Sequence, residues 1–270
     1  MRFLLGVSLL FGFCALAGCQ KNNAIPDDLG PEAHVEVLGQ ALPHDETAFT
    51  QGLLVHEGYF FESTGLVGHS TLRKTEIQSG KVLAQKELDP SLFGEGLALL
   101  NGKLYQLTWK NRIGLIYDAK TLEQLGTFPI SGEGWGLTTD GNELILSDGS
   151  DQLTWLDGKN LKPTKTLQVK MNGQAVHKIN ELEKINGYIY ANVFQTDIIL
   201  RIDPKSGEVL TVIDASELRP ASTKADPNSV LNGIAWDEKN QKLYLTGKKW
   251  PLVYQVRLVN GPRPTPTTQP

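Results

Sequence analysis

Glu95 is the residue in this sequence around which chemistry could be organised. It sits in the phrase Phe93-Gly94-Glu95-Gly96-Leu97, and phrases of similar build recur at Gln51-Gly52-Leu53, Trp135-Gly136-Leu137, Asn180-Glu181-Leu182 and Asn232-Gly233-Ile234. Repeats that served the fold alone would be expected to carry one residue type at the matching place. Here that place holds Gln51, Glu95, Trp135, Asn180 and Asn232, which are a carboxylate, three amides and an indole. Phe49 and Phe93 stand just before the first two phrases, and Trp109 and Phe194 follow the second and fourth at matching distances. If the copies converge, they form a differentiated pocket with one titratable group, amides for polar atoms and aromatic walls. The same residues would also suit a solvated channel mouth in a scaffold protein, and residue types alone leave both readings open.

The elements that would position these residues are strands. Helical periodicity is nearly absent. Short apolar, β-branched and aromatic runs such as Tyr59–Ser63, Leu104–Trp109, Tyr188–Val193 and Leu243–Thr246 follow tight-turn pairs such as Glu57-Gly58, Asn101-Gly102 and Asn186-Gly187. Such pairs suit hairpins whose central residues need positive φ. The phrases recur every 40 to 52 residues, roughly the length of one four-stranded propeller blade. A turn of the form Asp-Pro-Lys-Ser-Gly (203–207) or its relatives at 76–80, 118–122 and 157–161 follows the third strand of each of the first four copies. The pattern predicts an all-β fold, a five-bladed β-propeller over residues 34–260. The last copy runs out near Val256, so the strand from His34 to Gly39 is expected to join it and close the ring, removing open edges.

The two ends read differently. Arg2 precedes an apolar run from Phe3 to Leu16, the pattern of a secretory signal peptide and too short for a comfortable membrane span. It ends in Leu16-Ala17-Gly18-Cys19, which resembles the lipobox of bacterial lipoproteins. That resemblance implies cleavage after residue 18 and lipidation of Cys19, with more than one acyl chain giving stable anchoring. Residues 1–18 are then a signal peptide and 19–33 a lipidated, flexible tether. The expected location is the bacterial cell envelope, facing the periplasm, and Gln20 in place of an aspartate favours the outer membrane. Residues 261–270, rich in Pro and Thr, are expected to be disordered. With Cys14 removed and Cys19 lipidated, the domain has no disulfide and relies on its core. A net charge of −4 with scattered basic residues argues against nucleic acid as a partner.

Longer phrases spanning about His44 to Leu258 resemble the plant- and bacterial-type glutaminyl cyclases. They include Ala48-Phe49-Thr50-Gln51-Gly52-Leu53, Phe61-Glu62-Ser63-Thr64-Gly65-Leu66, Phe93-Gly94-Glu95-Gly96-Leu97, Leu231-Asn232-Gly233-Ile234-Ala235-Trp236-Asp237 and Thr246-Gly247-Lys248. The resemblance implies that N-terminal glutamine of peptides or proteins is cyclised to pyroglutamate with release of ammonia. It implies that Glu95 is the catalytic acid/base and that Phe49, Gln51, Phe93, Trp109, Trp135, Asn180 and Lys248 line the pocket. Phe194 stands where plant relatives carry tryptophan, so a ring is kept and an N–H donor lost.

The physics of such a reaction fits these roles. Nucleophile and electrophile belong to one substrate, so positioning supplies much of the acceleration. A base must take a proton from the α-amine, and the leaving nitrogen must receive one. Aromatic neighbours are expected to desolvate Glu95 and raise its pKa, Gln51 and Asn180 to hold amine or amide, and Lys248 and the Trp135 indole to stabilise an oxyanion. The scheme requires no metal or organic cofactor, although a structural cation in the channel stays compatible with it. The protein is expected to be monomeric. Two alternatives are weighed against this reading: a non-catalytic propeller lipoprotein acting as a binding or assembly scaffold, and a metal-dependent lactonase-type hydrolase.

Other candidates read as structural. His44-Asp45-Glu46 would point to opposite faces of an extended segment, and Asp148-Gly149-Ser150-Asp151 lacks the glutamate of a calcium loop. Ser63 and Ser147 lack a nucleophile-elbow setting. Trp155 and Trp236 are expected in the core. Glu62 and Glu183 read as structural carboxylates, Glu62 being the nearest rival to Glu95. The polar stretch 217–228 is a possible lid.

Overall fold

A computed structural model describes residues 24–264. The expected signal peptide and Cys19 lie outside the described residues, as does the end of the Pro/Thr-rich tail. No helix among the described residues is long and apolar enough to cross a membrane.

Among the described residues strand follows strand, interrupted by 3-10 turns at Ser216–Leu218 and Ala221–Thr223. Three four-stranded sheets are antiparallel meanders, running from Thr50 to Glu87, from Gly94 to Pro129 and from Leu137 to Gln168. Ile179–Asp214 forms a fourth meander, and Leu231–Asn260 contributes three more antiparallel strands. The last two groups share one nine-stranded sheet because the strand Glu32–Val37 lies between them. It runs antiparallel to Leu252–Asn260, with His34 opposite Val259, and parallel to Val209–Asp214. The expected pairing of the N-terminal strand with the last copy is therefore present, with an added parallel seam to the preceding one.

The first strands of successive groups pack side by side. Thr50–His56 lies against Gly94–Leu100, that strand against Leu137–Thr139, and so on through Ile179–Ile185 and Leu231–Asp237, which returns to Thr50–His56. Glycine in the repeated phrase permits this approach. A Cβ on Gly96 would lie 2.4 Å from the Leu137 nitrogen, and one on Gly136 would lie 1.9 Å from the Asn180 carbonyl oxygen. Neither separation is tolerable against fixed backbone. Between sheets the core is aliphatic and aromatic: Phe61, Leu72, Leu97, Leu104 and Tyr117 pack between the first and second meanders. Trp155 and Trp236 are buried, as expected.

The flexible tether expected over 19–33 is shorter than the composition suggests. Ala24, Ile25 and Leu29 are buried against Val35, Ile213 and Leu258. The Leu258 N–H donates to the Ala24 carbonyl at 2.7 Å, and Arg201 donates to the Leu29 carbonyl at 3.1 Å. Three apolar side chains, too few to raise the local hydropathy, suffice to fasten the segment over the seam. The strand then starts at Glu32 rather than His34. At the other end Gly261 donates to the Glu32 carbonyl at 2.9 Å and Arg263 pairs with Glu217 at 3.1 Å.

Candidate active site

Four polar residues of the repeated phrase occupy one kind of local structure. The register of the first hairpin of each group shifts between Thr50 and Gly52, Gly94 and Leu97, Ile179 and Leu182, and Leu231 and Ile234. Gln51, Glu95, Asn180 and Asn232 each fall inside such a bulge. A bulge takes a residue out of the ladder and re-aims its side chain, which is what a site at the start of an inner strand needs. Behind the bulges, serines hold the backbone. Ser63 donates to the Glu95 carbonyl, and Ser147 donates to the Asn180 carbonyl at 2.7 Å. Gln106 in turn donates to Ser63 at 2.7 Å. These serines support the site and are fully buried.

The floor of the pocket is polar and buried: Gln51, Glu95, Asn180, Asn232 and Lys248 are all 5% exposed or less. Gln51 Nε2 approaches Glu95 Oε1 at 3.3 Å, and Asn232 Nδ2 donates to the Thr50 carbonyl at 3.0 Å. The Oδ1 atoms of Asn180 and Asn232 are buried without a hydrogen-bond partner. Unused buried acceptors cost free energy unless something fills them.

The rim is aromatic and partly exposed. Phe49 meets Phe93 edge-on at 6.0 Å, Phe93 tilts against Trp109 at 5.6 Å, and Trp135 meets Phe194 edge-on at 5.5 Å. Lys248 Nζ stands 4.9 Å from the Phe49 ring centre and 5.0 Å from that of Phe194. Contacts thus link Phe49, Gln51, Phe93, Trp109, Trp135, Phe194 and Lys248 around Glu95, and Asn180 stands in the matching bulge of another inner strand.

Burial pushes the Glu95 carboxyl well above the usual carboxylate range; Lys248 pulls it the other way and Glu133 adds to the rise. Burial likewise pulls Lys248 down to about 8, against the attraction of Glu95. The site is therefore a carboxyl and an amine whose proton affinities have been drawn together, with few fixed hydrogen bonds to hold either charge.

Sequence reasoning missed Glu133. Its Oε2 accepts the indole N–H of Trp109 at 2.7 Å and that of Trp135 at 3.0 Å. The Trp135 indole, expected to meet an oxyanion, is committed to this carboxylate instead. A signal was available: Glu133 stands two residues before Trp135, as Phe49 and Phe93 stand two before Gln51 and Glu95.

The rival carboxylates are spent on structure. Glu62 accepts from Thr50 Oγ1 at 2.7 Å and pairs with His44 at 3.1 Å, while Asp45 pairs with Arg73 at 2.7 Å. His44 and Asp45 thus bind different partners, and no three His, Cys, Asp or Glu residues converge among the described residues. Glu181 accepts backbone N–H groups from Leu53 at 3.4 Å and Ile234 at 3.0 Å, tying inner strands together. Glu183 accepts from Trp236 N–H at 3.1 Å. A cavity of about 890 Å³ at the opposite ends of these strands is lined largely by hairpin turns, with Glu183 and the buried Asp237 in its walls. Segment 217–228 is fastened through Asp226 to Lys249 at 3.4 Å, beside the Lys248 loop.

Comparison with known proteins shows the family of the chain. The sequence model of a family described as glutamine cyclotransferase matches residues 10–258. The chain belongs to that family. It is similar to a glutaminyl-peptide cyclotransferase of Arabidopsis thaliana, 44% identical over 228 residues, which are 83% of this chain and 71% of the relative. The fold is similar to the crystal structure of Myxococcus xanthus glutaminyl cyclase, with a TM-score of 0.79 and 40% identity over 85% of this chain and 98% of that one.

Proposed function

We propose that the protein is a glutaminyl-peptide cyclotransferase, acting on peptide or protein chains that begin with glutamine. The observation that carries this reading is Glu95, a buried carboxyl with a raised pKa on the floor of an aromatic pocket beside Lys248. The α-amine of the substrate attacks its own side-chain carbonyl carbon, forming the ring C–N bond. Glu95 takes the proton that the attacking nitrogen sheds and returns it to the side-chain nitrogen. The C–N bond of the amide then breaks and ammonia leaves, so protons balance within one turnover. Lys248 faces the carbonyl oxygen and stabilises its developing negative charge. Gln51 and Asn180, each set in a bulge, position the substrate's amine or amide. Phe49, Phe93, Trp109, Trp135 and Phe194 bound the glutamine side chain and exclude water.

The same reading extends to architecture and location. The meanders, with the Glu32–Val37 strand completing the last group, are read as the five blades of a closed propeller. Residues 1–18 serve as a lipoprotein signal peptide and Cys19 carries the lipid, on the strength of Leu16-Ala17-Gly18-Cys19. The enzyme then works as a monomer on the periplasmic face of the cell envelope, most simply the outer membrane, and needs no cofactor.

Mass spectrometry of a glutamine-initiated peptide incubated with the protein tests the reaction. The product should lack one ammonia and have a blocked N-terminus, in the presence of chelator as in its absence. An unchanged peptide in both samples, with the protein folded, would sink the reading.

A further inference from the structure

The aromatic rim is a ring with two gaps. Lys248 fills the gap between Phe194 and Phe49. Glu133 fills the gap between Trp109 and Trp135, its Oε2 shared by the two indole N–H groups at 2.7 and 3.0 Å. A cation closes one side of the pocket and an anion the other. The placement of Glu133 is built into the backbone. Gly132 adopts φ +93°, and a Cβ on Gly134 would lie 2.8 Å from the Thr108 carbonyl oxygen, which accepts a hydrogen bond from Gly134 N–H. The segment is thereby pressed against the strand end that carries Trp109.

Indole nitrogens only donate, so one carboxylate oxygen is fully engaged by them. The other, Oε1, makes no hydrogen bond among the described residues, and Glu133 is partly exposed at the rim. A carboxylate fixed through one oxygen, with the other unpartnered, is a preorganised acceptor. A cyclotransferase must distinguish an N-terminal glutamine from an internal one, and the internal residue lacks the α-ammonium group. That group has a pKa of about 8 and is mostly charged at neutral pH. We propose that Glu133 anchors the substrate's α-ammonium group through Oε1, while Trp109 and Trp135 hold its Oε2.

This assignment rests on the cyclotransferase reading and gives the pocket a polarity. The amine end of the substrate lies toward Glu133 and the side-chain carbonyl oxygen toward Lys248. Glu95, which feels the charges of both, takes one proton as the ammonium becomes a nucleophile and passes it to the leaving nitrogen; the second, shed on ring closure, leaves with the ammonia as ammonium. A charge-assisted hydrogen bond of this kind contributes about 1.5–3 kcal/mol, roughly a tenfold to hundredfold preference for a free N-terminus.

The test uses a short peptide beginning with norleucine, which cannot cyclise, with its N-terminus free or acetylated. Titration calorimetry with the parent should show at least about tenfold tighter binding of the free form. Glu133→Gln keeps an oxygen for the indoles but removes the charge. It should abolish that preference while leaving near-ultraviolet circular dichroism and melting temperature unchanged. With a glutamine-initiated peptide it should raise KM about tenfold and change kcat less. Equal binding of both peptides by the parent overturns the anchor without needing any variant, as does a Glu133→Gln protein that keeps the preference. A parent that prefers the free N-terminus yet releases no ammonia from the glutamine peptide refutes the function and leaves the anchor standing.

Discussion

Glu62 and Glu95 are both buried glutamates, 2% and 5% exposed, in hairpins of neighbouring meanders. Their surroundings differ. Burial would raise the Glu62 carboxyl, but the His44 charge, hydrogen bonds from His44 and Thr50, and nearby Arg73 outweigh it and hold the pKa below the usual range. His44 is shifted the opposite way: burial pulls it down, yet Glu62 and a hydrogen bond to the Trp250 carbonyl carry it above its usual value. Glu95 has one long contact with Gln51, a cation close by and aromatic rings above, so burial wins. Burial alone thus does not make a reactive carboxyl. A buried carboxyl becomes available for proton transfer when the structure withholds its partners.

The largest test of that contrast is Glu95→Gln, which should lower kcat by about 10²–10⁴-fold with the fold intact, as seen in ammonia release and circular dichroism. Glu62→Gln should do the reverse. Leaving His44 without its partner should cost about 3–5 kcal/mol of stability in denaturant titrations, while the folded fraction keeps its turnover. The pH dependence follows by sign. Glu62, depressed, stabilises the parent above about 4.5 and loses that contribution as pH falls through its folded pKa. His44, raised, stabilises below about 6.5 and loses its contribution as pH rises through its folded pKa. Glu62→Gln should flatten both limbs.

Lys248→Met sharpens the comparison from the other side. It should cost about 10²–10³-fold in kcat through loss of oxyanion stabilisation, yet raise the melting temperature at neutral pH. The folded Lys248 loses its proton near 8 while the unfolded chain keeps it to about 10.4, so parent stability should climb across that window. The variant should lose that rise. The smallest effect belongs to Phe194→Trp. Its ring already packs edge-on against Trp135, so the added N–H should shift KM by less than about tenfold and leave kcat alone.

Much of this was legible before any coordinates. The x-Gly-Leu phrases mark the inner strands because glycine is needed where Gly96 and Gly136 meet their neighbours. Gln51, Glu95, Trp135, Asn180 and Asn232 stood out because unlike side chains occupy like positions, whereas Lys248 came only from the resemblance to glutaminyl cyclases. Three features were not. The bulges that aim Gln51, Glu95, Asn180 and Asn232 depend on hairpin register, which no local pattern encodes. Glu133 hid between glycines, its role set by two tryptophans, one of them far away in sequence. The packing of Ala24, Ile25 and Leu29 came from tertiary contact, where composition predicted a tether.

The most direct measurement is ammonia release from a short glutamine-initiated peptide by the parent, Glu95→Gln and Glu62→Gln proteins, each normalised to its folded fraction. The account predicts release by the parent, almost none by Glu95→Gln, and near-parental turnover by Glu62→Gln. Parental turnover in Glu95→Gln, or loss confined to folded Glu62→Gln, would contradict it.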